Sequence, residues 1–296
     1  TDGGYAVAGC TESKGAGGFD TWLLKLDSEG NILWDKTFGG SDDKWTISLI
    51  QTSDGGYAIT GTFFKWGAWG EDFWFLKLDK RGNLIWDWTY CGGLKITRDM
   101  PACSLIQTSD GGYAVTSHTS LGNVYNTDAL FIKLDSQGKL LWEKTFGGSG
   151  YDGATSIIQT TDGGYAIAGE TESYGAGDHD VWFIKLVYQG NKLWDETFGG
   201  SKCDYTKSLI QTTDGGYALA ASSNQYRCFG ESDLLLLKLD KQGNIVWDRT
   251  FKGSGTLDSL IQTSDGGYAL AGCFSGFNAW VLKLDNQGNL VEISEK

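Results

Sequence analysis

No run of apolar residues in this sequence approaches the roughly 18 that a membrane-spanning helix needs; Leu234 to Leu237, for example, is cut off at Lys238. No membrane insertion is expected. Basic residues are scarce, 24 Lys and Arg against 37 Asp and Glu, a formal charge of −13. Nucleic-acid binding is driven by Lys and Arg that neutralise phosphates and release counterions, so no nucleic acid and no anionic lipid surface is expected as a partner. Glycine is frequent, at 44 residues, but follows no Gly-X-Y period, which excludes collagen. The six cysteines form no Cys-x-x-Cys pair, which argues against zinc and redox sites. Only two histidines are present. What the chain does have is 14% aromatic and 40% hydrophobic residues, too many for a disordered segment, so it should fold and bury a core.

Internal repetition decides the architecture. Gly-Gly-Tyr-Ala occurs six times, with its tyrosine at Tyr5, Tyr57, Tyr113, Tyr165, Tyr217 and Tyr268, at intervals of 52, 56, 52, 52 and 51 residues. A second block follows each copy, running from Lys25-Leu26-Asp27 to Trp34, with counterparts ending at Trp86, Trp142, Trp194 and Trp247; Glu292 takes the tryptophan's place in the last. Six units of about fifty residues fill the chain, leaving no room for a linker or second domain. Each unit reads as four short strands. Strand A is Ser48 to Thr52, and the turn Ser53-Asp54-Gly55-Gly56 leads to strand B, Tyr57 to Gly61. Asp-Gly and Gly-Gly between apolar runs are hairpin signals because tight turns need positive φ. Strand C is Phe73 to Leu78 and strand D is Leu84 to Tyr90. The expectation is an all-β chain, 1–296, forming a single six-bladed β-propeller domain of four-stranded antiparallel blades, with a linear β-solenoid as the alternative. Tryptophans and Tyr-Ala pairs present in every unit read as packing between blades.

The stretch Lys-Leu-Asp-x-x-Gly-Asn-x-x-Trp resembles the tryptophan-docking repeat of pyrroloquinoline-quinone-type propellers and, more loosely, the Asp-box turn of sialidases. The whole unit, from Gln-Thr-x-Asp-Gly-Gly-Tyr-Ala to Trp-x-x-Thr-Phe-Gly-Gly, is similar to the tandem propeller repeats of secreted or surface proteins of archaea and bacteria. The resemblance covers essentially the whole chain and implies the propeller fold and an extracellular or cell-surface location. It implies neither quinone chemistry nor sialidase activity, since no quinone-binding residues and no arginine triad match. The first unit begins at the turn before strand B, so the first blade is expected to lack its innermost strand in this chain, its natural counterpart carrying something like Ser-Leu-Ile-Gln-Thr upstream.

In such blades the AB and CD turns fall on one face and the BC and DA loops on the other. The AB and CD turns are nearly uniform among the units, whereas the BC loops vary, which makes the BC/DA face the candidate functional face; unconstrained loop drift is the alternative. Four tryptophans stand outside the repeat positions, Trp45, Trp66, Trp69 and Trp88, and all belong to the second unit. Trp66 and Trp69 share its BC loop with Phe63 and Phe64, Trp45 lies in the DA loop entering the blade, and Trp88 takes a strand-D position that is polar elsewhere. An exposed aromatic cluster marks an interaction site. Indole faces flanked by Glu71 and Asp72 would suit a sugar ring, and would suit a protein surface equally. Tyr125, Tyr174, Tyr226 and Phe229 extend the surface around the same loops.

Cys10 and Cys273 hold the same strand-B position in the first and last units, Cys91 and Cys103 bracket one DA loop, and Cys203 and Cys228 lie on DA and BC loops of the fifth unit. Three disulfides with those pairings are expected, with free thiols as the alternative. His118 sits at a strand-B end, where a satisfied polar role is expected. His179, in Asp178-His179-Asp180, has neighbours able to orient an imidazole or hold a cation, although Asp180 recurs before strand C and reads as a turn residue. No nucleophile elbow is present, and the glycine-rich stretches precede strands, not helices. No catalytic residue, cofactor or metal is assigned. The sequence thus points to a non-enzymatic extracellular binding or assembly module for a protein surface or glycan, with possible self-assembly. The competing expectation is a polysaccharide-active hydrolase or lyase with loop carboxylates as acid and base.

Overall fold

The computed structural model describes residues 2–64, 71–90, 104–120, 126–224, 232–253, 255–273 and 279–295. Among the described residues the backbone forms 23 strands and no helix, gathered into six antiparallel sheets. The chain divides into two compact units, Thr1–Thr145 and Phe146–Lys296, with three sheets in each.

The first unit holds a three-stranded sheet, β1 (Tyr5–Thr11), β2 (Asp20–Leu26) and β3 (Ile32–Phe38), and two four-stranded ones. These are β4 (Asp43–Gln51), β5 (Tyr57–Phe64), β6 (Glu71–Leu78) and β7 (Leu84–Tyr90), then β8 (Ser104–Gln107), β9 (Tyr113–Ser120), β10 (Thr127–Leu134) and β11 (Leu140–Phe146). The second unit holds β12 (Asp152–Gln159), β13 (Tyr165–Thr171), β14 (Asp180–Leu186) and β15 (Lys192–Phe198), followed by β16 (Cys203–Gln211), β17 (Tyr217–Asn224), β18 (Ser232–Leu239) and β19 (Ile245–Phe251). Its last sheet is β20 (Thr256–Gln262), β21 (Tyr268–Cys273), β22 (Ala279–Leu284) and β23 (Leu290–Glu295). In every sheet, neighbours in sequence are neighbours in space, the meander of a propeller blade. The chain is a six-bladed β-propeller whose first blade has three strands.

The repeat chemistry explains each turn. In the second blade, Thr52 N donates to Gly56 O at 2.9 Å and Gly55 N donates to Thr52 O at 2.8 Å, closing the hairpin with Gly55 at φ 78°. The second glycine is there for space: a Cβ on Gly56 would stand 2.2 Å from Leu78 O. Into that space Lys77 brings its ammonium, which donates to Asp54 at 2.9 Å and Leu78 O at 2.9 Å. The same lysine–aspartate clasp recurs as Lys25–Asp2, Lys133–Asp110, Lys185–Asp162, Lys238–Asp214 and Lys283–Asp265.

Blades fasten to their neighbours by side chains the repeat supplies. The strand-D tryptophan lies on the CD-turn glycine of the following blade, so that a Cβ on Gly138 would stand 2.8 Å from the Trp86 ring, and one on Gly243 2.6 Å from Trp194. Trp86 also stacks on Phe75 at 4.9 Å and meets Tyr113 edge-on at 5.8 Å. A strand-A glutamine reaches back, Gln107 accepting from Ser53 N at 2.7 Å and Gln211 from Thr161 N at 2.9 Å. Within each unit the cores lie between adjacent blades, as where Phe73 and Phe75 pack with Tyr113, Val115 and Ile132. Side chains of that size contribute about 1.5–3 kcal/mol each when fully buried.

Two expectations are corrected. Strand A was placed at Ser48 to Thr52, with Trp45 in the loop before it, but β4 begins at Asp43 and contains Trp45. A bulge between Thr46 and Ser48 puts the earlier residues out of phase with the apolar alternation, and the same bulge recurs in β12, β16 and β20. The other concerns the disulfides: none is present among the described residues, and Cys10 and Cys273 are free thiols. Their sulfurs are engaged locally, Cys10 Sγ accepting from Thr46 N at 3.2 Å and Cys273 Sγ bonding Thr256 Oγ1 at 2.9 Å. Cys203 is buried at the start of β16, and Cys91, Cys103 and Cys228 lie outside the described residues.

Candidate functional site

Where one blade's BC loop meets the next blade's strand A, the structure builds the same junction twice. Between the first and second blades, Lys44 N donates to Phe19 O at 2.7 Å; between the fourth and fifth, Asp204 N donates to His179 O at 2.8 Å. The loop in front is closed by the repeat aspartate, Asp20 accepting from Ala16 N at 2.6 Å and Asp180 from Ala176 N at 2.7 Å, the turn role the sequence suggested. Each junction then presses two rings together. Phe19 and Trp45 stand 4.3 Å apart at 35°, and His179 and Tyr205 stand 5.0 Å apart at 39°. Both couples are separated by 26 residues in the chain.

The first couple is the accessible one. Trp45 is 45% exposed on β4, and its tilted contact with Phe19 braces the indole. Such a ring offers a large, rigid, apolar face at low conformational cost. Phe63, in β5, is paired with Lys44 across the strands and packs on the core beneath. Trp88 is half-buried and packs inward. Strand D alternates, and its position shares the side of Trp86 and Tyr90, so Trp88 packs 6.2 Å from Phe73 and 5.5 Å from Tyr90. Phe64 ends β5, and Glu71 and Asp72 open β6. Trp66, Trp69, Tyr125, Tyr226 and Phe229 lie outside the described residues. Tyr174 is 43% exposed in the fourth blade, its hydroxyl donating to Gly147 O at 2.9 Å and its ring 5.6 Å from Trp182.

The second couple belongs to a titratable network that sequence reasoning did not assemble. His179 Nε2 lies 3.0 Å from Glu172 Oε1, and the His179 ring meets Tyr151 edge-on at 5.6 Å. Tyr151 N donates to Glu172 Oε2 at 3.1 Å, and its hydroxyl lies 3.5 Å from Glu170 Oε1. Thr155 Oγ1 donates to the other Glu170 oxygen at 3.1 Å. Burial raises the Glu170 carboxyl above the usual carboxylate range, and burial, then the charge of Glu170, raises the Tyr151 phenol. A buried carboxyl beside a phenol, both shifted upward, is a pairing of the kind that general-acid chemistry draws on. His118, by contrast, is enclosed in β9, and burial lowers its pKa to about 4. No group of three or more metal-ligating side chains gathers among the described residues.

No protein-family model and no curated relative matches this sequence. Solved structures do match in fold. An ulvan lyase, a polysaccharide lyase bound to a GlcA(1-4)Rha3S saccharide, is 11% identical, with a TM-score of 0.62 over 100% of this chain and 80% of its own. A Synechocystis apocarotenoid oxygenase is 10% identical, with a TM-score of 0.52 over 94% of this chain and 72% of its own. Identities this low show a shared propeller fold and nothing about shared activity.

Proposed function

We propose that this propeller is a non-enzymatic glycan-binding module that contacts its ligand through the BC/DA face, with the Trp45–Phe19 couple as the stacking platform. The observation that carries this reading is a large aromatic ring held rigidly in the open at a blade junction. An indole face accepts the C–H face of a pyranose, and the polar loop atoms around it suit hydroxyls. The fold is compatible with such a ligand, since the ulvan lyase holds a saccharide on the same kind of scaffold. Truncating an interface tryptophan costs about 2 kcal/mol, equivalent to about 30-fold in affinity. A glycan array followed by calorimetry on the best ligand should show that loss in Trp45→Ala with unchanged thermal stability. No array ligand, together with capture of a protein partner that also depends on Trp45, would make the platform a protein-docking surface instead.

A second reading, polysaccharide cleavage, is favoured by the buried Glu170 carboxyl, shifted upward by burial, standing 3.5 Å from the Tyr151 hydroxyl. Turnover of any array ligand, abolished in Glu170→Gln, would establish it; binding without turnover leaves the module reading in place.

A further inference from the structure

A cleft of about 600 Å³ opens between the fourth and fifth blades, inside the second unit. Its apolar side is formed by Phe198, Leu235, Leu237 and Ile245, and the glycine turn 199–200 runs along one edge. Polar groups line the remainder: Asp204 and Ser223, which are buried, and Asp248 and Thr250, which are exposed. A concave site with an apolar wall and a few convergent polar groups is the general form of a small-ligand pocket.

The charge balance indicates what fits. Lys202 is the one cation in the lining, and its ammonium stands 3.4 Å from Asp233 Oδ2. Asp204 is almost wholly buried; its carboxylate accepts from Gly200 N at 3.3 Å and from the Ser223 hydroxyl, and Lys202 is the cation near it. The buried Asp180 carboxylate lies close by, since a Cβ on Gly199 would stand 2.2 Å from Asp180 Oδ1 and 2.6 Å from Asp204 Oδ2. With the exposed Asp248 also in the lining, the cleft presents more negative charge than Lys202 can offset. Burial, with the neighbouring Asp180, disfavours the ionised form of Asp204. An ammonium entering the cleft would reverse that.

We infer that the cleft between the fourth and fifth blades binds an amino sugar, its C–H face against Leu235 and Phe198 and its ammonium directed at the Asp204 end. This site is separate in its residues from the Trp45 platform, and the probe can be chosen so that each fails alone.

Calorimetry and amide chemical-shift mapping with fully deacetylated chitobiose, against its N,N′-diacetyl form, test the inference. The amine form should bind with shifts centred on 197–204 and 235–250, at least tenfold more tightly than the acetylated form, with the preference lost in Asp204→Asn. Asp248→Asn, at an exposed position, should weaken binding several-fold even if Asp204→Asn fails to fold, and Leu235→Trp should block it. Equal affinity for the two sugars, no binding at millimolar concentration, or shifts confined to residues 19 and 45 would overturn the proposal. Cadaverine binding as tightly as the sugar would also overturn it, by showing a site for simple amines.

Discussion

Replacing Lys133 by Met removes an ammonium from one of the most enclosed clasps in the fold while keeping the length and apolar character of the stem. The Lys133 side chain is 2% exposed, and its Nζ stands 3.0 Å from Asp110 Oδ2 and 3.0 Å from Leu134 O. Hydrogen bonds involving a charged group contribute about 1.5–3 kcal/mol each, and a buried carbonyl left without a donor costs a further 1–3 kcal/mol or so. Asp110 keeps partial access to water, which returns some of that loss. The net cost should be about 3 kcal/mol. The sixth-blade clasp offers an internal control, because Lys283 makes the same bonds with its side chain 28% exposed, and water can replace them. Urea unfolding followed by far-UV circular dichroism, with an unchanged slope, reads both costs. A Lys133→Met loss within about 0.5 kcal/mol of zero, or an equal loss in Lys283→Met, would refute the reasoning that burial of the ammonium sets the strength of the clasp.

Stability should fall at acid pH in two stages. His118 has its folded pKa lowered to about 4 from 6.5, so stability is lost as pH falls through that window, and His118→Gln should flatten it in pH-dependent urea titrations. The clasp aspartates Asp54 and Asp214 are lowered to about 2 from 3.8 by hydrogen bonds from their threonine and lysine partners acting against desolvation, so their contribution is present above pH 3.8 and lost toward pH 2. Gly138→Ala should destabilise by more than the roughly 1–2 kcal/mol of a left-handed residue, because the turn sits at φ 82° and the new Cβ would meet Trp86 at 2.8 Å; differential scanning calorimetry reads the loss. Alkylation under denaturing, non-reducing conditions should modify Cys10 and Cys273, and recovery of either as a disulfide peptide would contradict the structure.

Much of the fold was legible because the repeat writes it six times. Strand D of the second blade runs over Leu84–Tyr90 in both reading and structure, since a turn bounds it on one side and its aromatic alternation is regular. Strand A was read too short because one bulged residue hides the register of everything before it. The site was only half legible. Trp45 stood out as a departure from the repeat, but Phe19 looked like loop variation until the backbone bond from Lys44 brought the two rings together. Trp88 stood out equally, and strand alternation turned it into packing. The Tyr151, Glu170, Glu172, His179 and Tyr205 network is spread over two blades and more than fifty residues, and no short motif announces it.

The glycan-platform claim is tested most directly by the indole N–H resonance of Trp45, assigned through Trp45→Phe, during titration with the best array saccharide. The account predicts a saturable shift of that resonance with the same dissociation constant as calorimetry. Saturation of the protein with the Trp45 resonance unmoved would contradict it.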